Sequence, residues 1–246
     1  MRNFKLTLSY VGTRYSGWQK QTNTTNTIQG KLEQALKNLL GAPVEVQGSG
    51  RTDAGVHAAA QVANFHADTA LSCDELCRRL RNSMPQDIGI ISLEEVSPRF
   101  HARLSAHEKT YCYRIWNSDI PNVFEQKYMH AVSSPLDLTA MREAAVHFLG
   151  THDFRAYCSN PDFKKSAVRT IYGIKLDTFT HEVRLTVTGN GFLYNMVRLI
   201  AGTLIRVGLH ELRPDEIPAI LESQDRRLAG PMAPACGLCM MEVKYE

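Results

Sequence analysis

One order of patterns runs through this chain twice, and it limits the folds open to it. In the first half, "MRNFKLTLSY" alternates as a strand over 3–10 and gives way to a loop up to about residue 25. A helix is expected at 27–40, because Ile28, Leu32, Leu36 and Leu39 share one face and Gly41 stops it. "VEVQG" from residue 44 and "AQVANFH" from residue 60 read as strands. Ser72 and Glu75 carry the signature of a capping box for a helix to about residue 83, ended by Pro85, and "DIGIISLEEV" is a further strand. The second half repeats the rhythm. "KTYCYRIW" alternates strictly, and Leu138, Met141, Ala145 and Phe148 mark a helix. Strands at 171–179 and 182–188 turn at His181, and helices follow at 192–207 and 214–223 before a last strand, "LCMMEVKY". Strands and helices mix without regular βαβ alternation, so the fold class is α+β with largely antiparallel sheet. The halves join near 105–108, which gives an N-terminal subdomain at 1–105 and a C-terminal one at 106–246.

Composition narrows the setting. The balance of 43% hydrophobic and 22% charged residues is that of a globular chain with a full core. No apolar run approaches the ~18 residues of a membrane span, and the first residues lack a signal peptide's apolar block, so a cytoplasmic protein with no membrane association is expected. Cys73, Cys77, Cys112, Cys158, Cys236 and Cys239 are too scattered for a disulfide scaffold. The C-x-x-C of Cys236 and Cys239 lacks a second pair at ligand spacing, because Cys73 and Cys77 fall within a helical pattern, so no metal site is expected.

The net charge is only +3, but the cations cluster: Arg78 and Arg79 with Arg81, Lys164 and Lys165 with Arg169, and Arg226 with Arg227. Each cluster alone fits a solvated face; several on one fold supply a phosphate-neutralising surface for RNA. Between the patterned segments lies "GSGRTDAGVH", with three glycines around a single carboxylate, Asp53. Arg51 and Asp53 are two apart, so in extended backbone they project to the same side. A cation that close favours the ionised carboxylate, suited to act as nucleophile or electrostatic stabiliser. The glycines allow unusual dihedrals and the close approach of a flat substrate. An Asp-Gly turn with an arginine beside it is the structural alternative.

Six further stretches occur in order with this loop. They are "YVGTRYSGWQKQ" (10–21), "TIQGKLEQAL" (27–36), "RFHARLSAHEKTYCYRI" (99–115), "FLGTHDFRAYCS" (148–159), "GFLYNMVRLIAGTLIRVG" (191–208) and "MAPACGL" (232–238). With the segment at 48–65, they closely resemble the TruA-type tRNA pseudouridine synthases from about residue 4 to residue 245. The resemblance implies two similar RRM/ferredoxin-like subdomains whose largely antiparallel sheets meet at a central basic cleft. It also implies a homodimer without metal or cofactor. The activity it implies is isomerisation of uridine to pseudouridine at positions 38, 39 and 40 of the tRNA anticodon stem-loop. On the same ground Asp53 is the catalytic aspartate, Tyr111 the active-site tyrosine, Arg51 the arginine of the catalytic loop and Arg198 an active-site basic residue.

Chemistry agrees with that resemblance. The isomerisation breaks the C1′–N1 bond, turns the base and joins C5 to C1′, so every atom stays and no redox or group-carrying cofactor is needed. A carboxylate can add to base or ribose, or assist departure of the uracil through a glycal-like route, and the sequence leaves all three open. A tyrosine ring can cover the detached uracil while its hydroxyl helps remove the C5 proton. Arg198 would pair with Asp53 and keep it anionic. Substrate contacts are expected from Tyr111, Arg51 and Arg198, and along the tRNA path from Arg78, Arg79 and Lys164. Tyr111 also fits a strand core, and Arg198 a structural ion pair. His57 is expected to pack or touch phosphate, and Tyr15 and Trp18 to pack in the core before they stack on RNA. The competing class is a catalytically silent tRNA-binding chaperone of the same fold; a metal-dependent hydrolase has no H-x-x-x-H or paired-carboxylate motif behind it. Ser49 stands where the family commonly has alanine and Met232 where it commonly has threonine, and both bear on the fit to the target nucleotide.

Overall fold

The computed structural model describes residues 1–160 and 166–245. The chain forms two compact units, Met1–His107 with Cys239–Glu246, and Glu108–Leu238.

The first unit contains β1 (Arg2–Tyr10), α1 (Ile28–Leu40), β2 (Val46–Gly48), β3 (His57–Ala67), α2 (Cys73–Ser83) and β4 (Ile88–Val96). Its sheet runs β4-β1-β3, all antiparallel, and β2 lies antiparallel along Ala63–Phe65 of β3. That is the strand–helix–strand–strand–helix–strand order of a ferredoxin-like unit. Alternation on β1 sends Phe4, Leu6 and Leu8 inward, where each is 0% exposed. Burial of a side chain of this size contributes roughly 1.5–3 kcal/mol. Ile28, Leu32 and Leu36 of α1, and Leu76 and Leu80 of α2, bury against them. Thr27 caps α1 by accepting from the Gly30 N–H, as Ser72 caps α2 by accepting from Glu75. The Glu75 carboxylate does not complete the expected box; it turns outward to Arg78 and Arg79.

The second unit contains β5 (Glu108–Asn117), β6 (His130–Val132), α3 (Leu138–Val146), β7 (Gly150–Asp153), β8 (Val168–Thr178), β9 (Glu182–Gly189), α4 (Met196–Gly208) and α5 (Ile217–Ser223). Its sheet runs β5-β9-β8-β7, antiparallel throughout, with β6 parallel to the end of β5. β5, α3, β8, β9 and α4 follow the order of the first five elements of the first unit. Every residue of α4 except Arg206 is buried. The helix starts at residue 196 rather than 192, because Asn195 takes a left-handed conformation (φ 61°, ψ 9°) and interrupts the apolar periodicity there. Strands β6 and β7 were not expected; they are three and four residues long and carry almost no apolar alternation.

The last strand, β10 (Leu238–Lys244), departs from the division at 105–108. Its residues from Cys239 onward belong to the first unit, where Cys239 and Met240 lie parallel to His57 and Ala58 of β3. His107 donates to the Lys244 carbonyl, and the Tyr245 hydroxyl donates to the Ala102 carbonyl at 2.6 Å. No helix among the described residues is long and apolar enough to cross a membrane.

Candidate active site

The stretch from Gly48 to His57 links β2 to β3 and is held tightly by its surroundings. Trp18, 1% exposed, packs against Gly48 so closely that a Cβ there would lie 2.4 Å from the indole. The Trp18 backbone N–H donates to the Thr52 carbonyl at 3.0 Å, the Ser49 backbone N–H to the Val62 carbonyl at 2.7 Å and that of Gly55 to the Tyr15 carbonyl at 3.3 Å. Gly55 (φ 80°) closes the turn in which Val56 N–H donates to the Asp53 carbonyl at 3.1 Å. These glycines therefore serve close packing and one left-handed turn rather than mobility. Thr52 is buried between an exposed Arg51 and a half-buried Asp53. Burial thus alternates along residues 51–53, with Thr52 on the packed side. His57 is buried, and its Nδ1 accepts from the Gly12 N–H at 3.1 Å, so the ring packs within the unit. Tyr15 and Trp18 are core residues, and the Tyr15 hydroxyl donates to Asp87 at 2.6 Å.

In the second unit, Tyr111 lies on β5 opposite Val187 of β9 and is 9% exposed. Its ring meets Phe192 edge-on, with centroids 5.2 Å apart. Phe192 opens the segment that leads into α4, and Arg198 lies in the first turn of that helix. Both expected residues of this unit are therefore gathered around residues 192–198.

Arg198 is a buried cation, 9% exposed, and a buried charge must be answered by partners. Its Nε donates to the Ala233 carbonyl at 2.8 Å and its guanidinium NH1 to Asn195 Oδ1 at 3.2 Å. The Ala233 N–H donates back to the Arg198 carbonyl at 3.2 Å. Thr203 adds a second tie, accepting from the Gly230 N–H and donating to the Leu199 carbonyl, both at 2.8 Å. The approach is possible because residue 202 is glycine: a Cβ there would lie 1.8 Å from the Pro231 carbonyl oxygen. Tyr113 closes the arrangement by donating its hydroxyl to the Pro234 carbonyl at 2.8 Å. "YNMVRLIAGT" and "MAPACGL" are thus two faces of one packed clamp. The sequence held one sign of it, a glycine in mid-helix that costs about 1 kcal/mol relative to alanine unless something packs there.

Residues 7–104 and 144–246 match the tRNA pseudouridine synthase family. The chain belongs to that family, which is a family of isomerases. It is 44% identical over 245 residues to "tRNA pseudouridine synthase A 2" of Bacillus cereus (strain ZK / E33L), covering 100% of each chain. It is 46% identical to "tRNA pseudouridine synthase A" of Acetivibrio thermocellus, with the same coverage. Among solved structures, that of a Cbf5-Nop10-Gar1 complex aligns with 96% of this chain and 48% of that chain at 11% identity, with a TM-score of 0.37.

For a member of this family the expected RNA-contact cations are of interest, and most are engaged within the chain. Arg78 and Arg79 stand on the exposed face of α2 and share Glu75, at 2.8 and 2.6 Å. Arg81 reaches the Ile90 carbonyl at 2.8 Å, Arg226 donates to the Ala229 and Gly230 carbonyls, and Arg227 pairs with Asp225 at 2.6 Å. Lys164 and Lys165 lie outside the described residues. On the β5–β9 pair, Glu182 accepts from Arg114 at 2.6 Å and Arg184 at 2.7 Å. Burial opposes its charge, but the hydrogen bonds from Arg184 and Arg114 outweigh that and bring its carboxyl down to about 2. All six cysteines are free thiols, and among the described residues no group of three or more His, Cys, Asp or Glu side chains could hold a metal ion.

Proposed function

We propose that this chain converts uridine to pseudouridine in the anticodon arm of tRNA, at positions 38, 39 and 40, with Asp53 as the nucleophile. The observation that carries the assignment is the loop itself. A half-buried carboxylate is presented beside an exposed arginine by a backbone fixed at Ser49, Thr52, Asp53 and Gly55. Such fixing is what a nucleophile needs to meet a substrate without reorganising. Asp53 attacks base or ribose, or assists departure of the uracil; the C1′–N1 bond breaks, C5 joins C1′, and the C5 proton leaves as N1 gains one.

Tyr111 covers the uracil while it turns, and its hydroxyl takes the C5 proton. Arg198 contributes a fixed positive charge that favours the ionised nucleophile. Arg51, with its planar guanidinium, enters the space left by the displaced base and holds it out of the stack. The protein works as a cytoplasmic homodimer, with tRNA phosphates along Arg78, Arg79 and Lys164 and no cofactor.

Mass-neutral conversion of uridine in a tRNA transcript, carried out in EDTA, separates this reading from a silent tRNA chaperone and from a metal-dependent hydrolase. Asp53→Asn should abolish conversion while tRNA affinity stays within a few-fold; turnover by that variant, with contamination excluded, would remove Asp53 from the nucleophile's role. Tyr111→Phe should slow conversion by about two orders of magnitude, as loss of a general base does. Arg51→Lys should cost more on a paired target uridine than on the same uridine opposite a mismatch.

A further inference from the structure

Beneath the Asp53 loop lies a buried polar chain that the proposed chemistry does not use. Tyr10, Ser49, Thr52 and Gln61 are 4%, 0%, 6% and 0% exposed. Ser49 Oγ donates to Gln61 Oε1 at 2.6 Å, and the same oxygen accepts from the Val62 N–H at 3.2 Å. Gln61 Nε2 donates to the Gly50 carbonyl at 3.0 Å and to the Tyr10 hydroxyl at 3.4 Å. The Tyr10 and Thr52 hydroxyls are 2.7 Å apart. Either hydroxyl can donate in that bond, and the Tyr10 phenol carries its own proton. Burial raises the Tyr10 phenol above its ordinary value, so that proton stays in place at neutral pH.

The direction of the chain matters more than its existence. All four hydrogen-bonding positions of the Gln61 amide are used, so the amide has one orientation. Through it, one end of the loop (Ser49 and Gly50) and the residue before Asp53 (Thr52) are tied to the same two side chains of β1 and β3. Ser49, expected to bear on the target nucleotide, instead faces inward and belongs to this network.

We propose that Tyr10, Gln61 and Ser49 are positioning residues, which set the direction in which residues 51–53 present the Asp53 carboxylate. The proposal rests on Asp53 being the reacting carboxylate. A carboxylate displaced by about 1 Å loses up to a hundredfold in rate.

The test compares Tyr10→Phe, Thr52→Val and the double variant, with single-turnover conversion at saturating enzyme, tRNA affinity and thermal melting measured on the full chain. Tyr10→Phe should slow conversion at least tenfold with affinity within twofold, and should lower the melting temperature. Replacing both partners by apolar groups removes the unsatisfied Thr52 hydroxyl, so the double variant should recover part of the melting temperature lost in Tyr10→Phe, the remainder coming from the Gln61 N–H that also loses Tyr10. The rate should stay low in it. A structural role would move rate and melting together. Thr52→Val alone removes the bond from the loop side and should slow conversion likewise, which keeps the test open if Tyr10→Phe folds poorly. A rate within twofold of the parent in Thr52→Val or in the double variant would overturn the proposal. Asp53→Asn run alongside separates the two claims: if it is inactive while the double variant runs at parental rate, only the positioning role falls, and if it turns over, the nucleophile assignment falls first.

Discussion

Helices α2 and α4 occupy the same place in the repeated order of the two units, yet they treat arginine in opposite ways. On α2 the buried residues are Leu76, Cys77 and Leu80, and Arg78 and Arg79 face solvent over Glu75. On α4 nearly every side is covered, and Arg198 is inside, held by a backbone carbonyl and a capping asparagine. An exposed pair gains little from its geometry, because water and salt screen it. A buried guanidinium is costly unless its donors are met, so Asn195 and the Ala233 carbonyl accept from it, while Gly202 and Thr203 hold the segment that carries that carbonyl. The difference teaches that charge in sequence does not announce its task. Two arginines expected to contact RNA share one carboxylate on an exposed face, and the buried one of the two arginines on α4 has the larger supporting structure.

The comparison breaks most directly at Arg198. Arg198→Lys keeps the charge but cannot meet the Ala233 carbonyl and Asn195 Oδ1 together, so conversion should fall about a hundredfold, the loss expected for a fixed electrostatic donor. An unsatisfied buried acceptor should also cost about 1–3 kcal/mol in denaturant unfolding. Parental rate and stability in this variant would place Arg198 on a par with the α2 arginines.

Gly202→Ala sharpens the contrast by sign. In an exposed helix the change stabilises by about 1 kcal/mol, but on α4 the new methyl meets the Pro231 carbonyl and should destabilise by about 1–3 kcal/mol. Conversion should fall with it as residue 233 moves, and urea melts with single-turnover assays would show both.

Glu182 extends the comparison to a buried carboxylate. Its pKa of about 2 lies below the ordinary 4.5, so its contribution is complete above about pH 4.5 and is lost as pH falls towards 2. Glu182→Gln should therefore be less stable than the parent at neutral pH and should decline less steeply between pH 4.5 and 2, read from urea midpoints across that window.

Arg78→Glu should have the smallest effect. Its melting temperature should hardly change, while the salt dependence of tRNA binding should flatten by about one unit of slope if Arg78 meets a phosphate. An unchanged slope would leave α2 a solvated face.

Most of the fold was legible because its elements obey local rules. Periodicity located α1 and α2, Gly41 and Ser72 marked one end of each, and alternation found β1 and β5. The beginning of α4 was misplaced although Asn195 is a familiar capping residue, since the apolar period runs on through Leu193. At the site, residue identity pointed to Asp53, Arg51, Tyr111 and Arg198, but not to what holds them. Arg198 relies on the carbonyl of Ala233, and a main-chain acceptor looks the same whatever residue bears it. Gln61 is a glutamine in a strand, and nothing in its neighbours along the chain reveals that it meets Ser49, Gly50 and Tyr10.

The return of β10 to β3 has a consequence for how the protein is made. Residues 1–107 leave the ribosome first, but the strand that lies beside His57 and Ala58 is made only after the whole second unit. At ordinary elongation rates the interval is on the order of ten seconds. Throughout it, the nascent first unit carries an open strand edge where the Asp53 loop ends, the kind of edge that invites pairing with the wrong chain. A chain stalled before residue 239 contains every residue of that loop without the strand that finishes its sheet, so the loop's setting is completed only as translation ends.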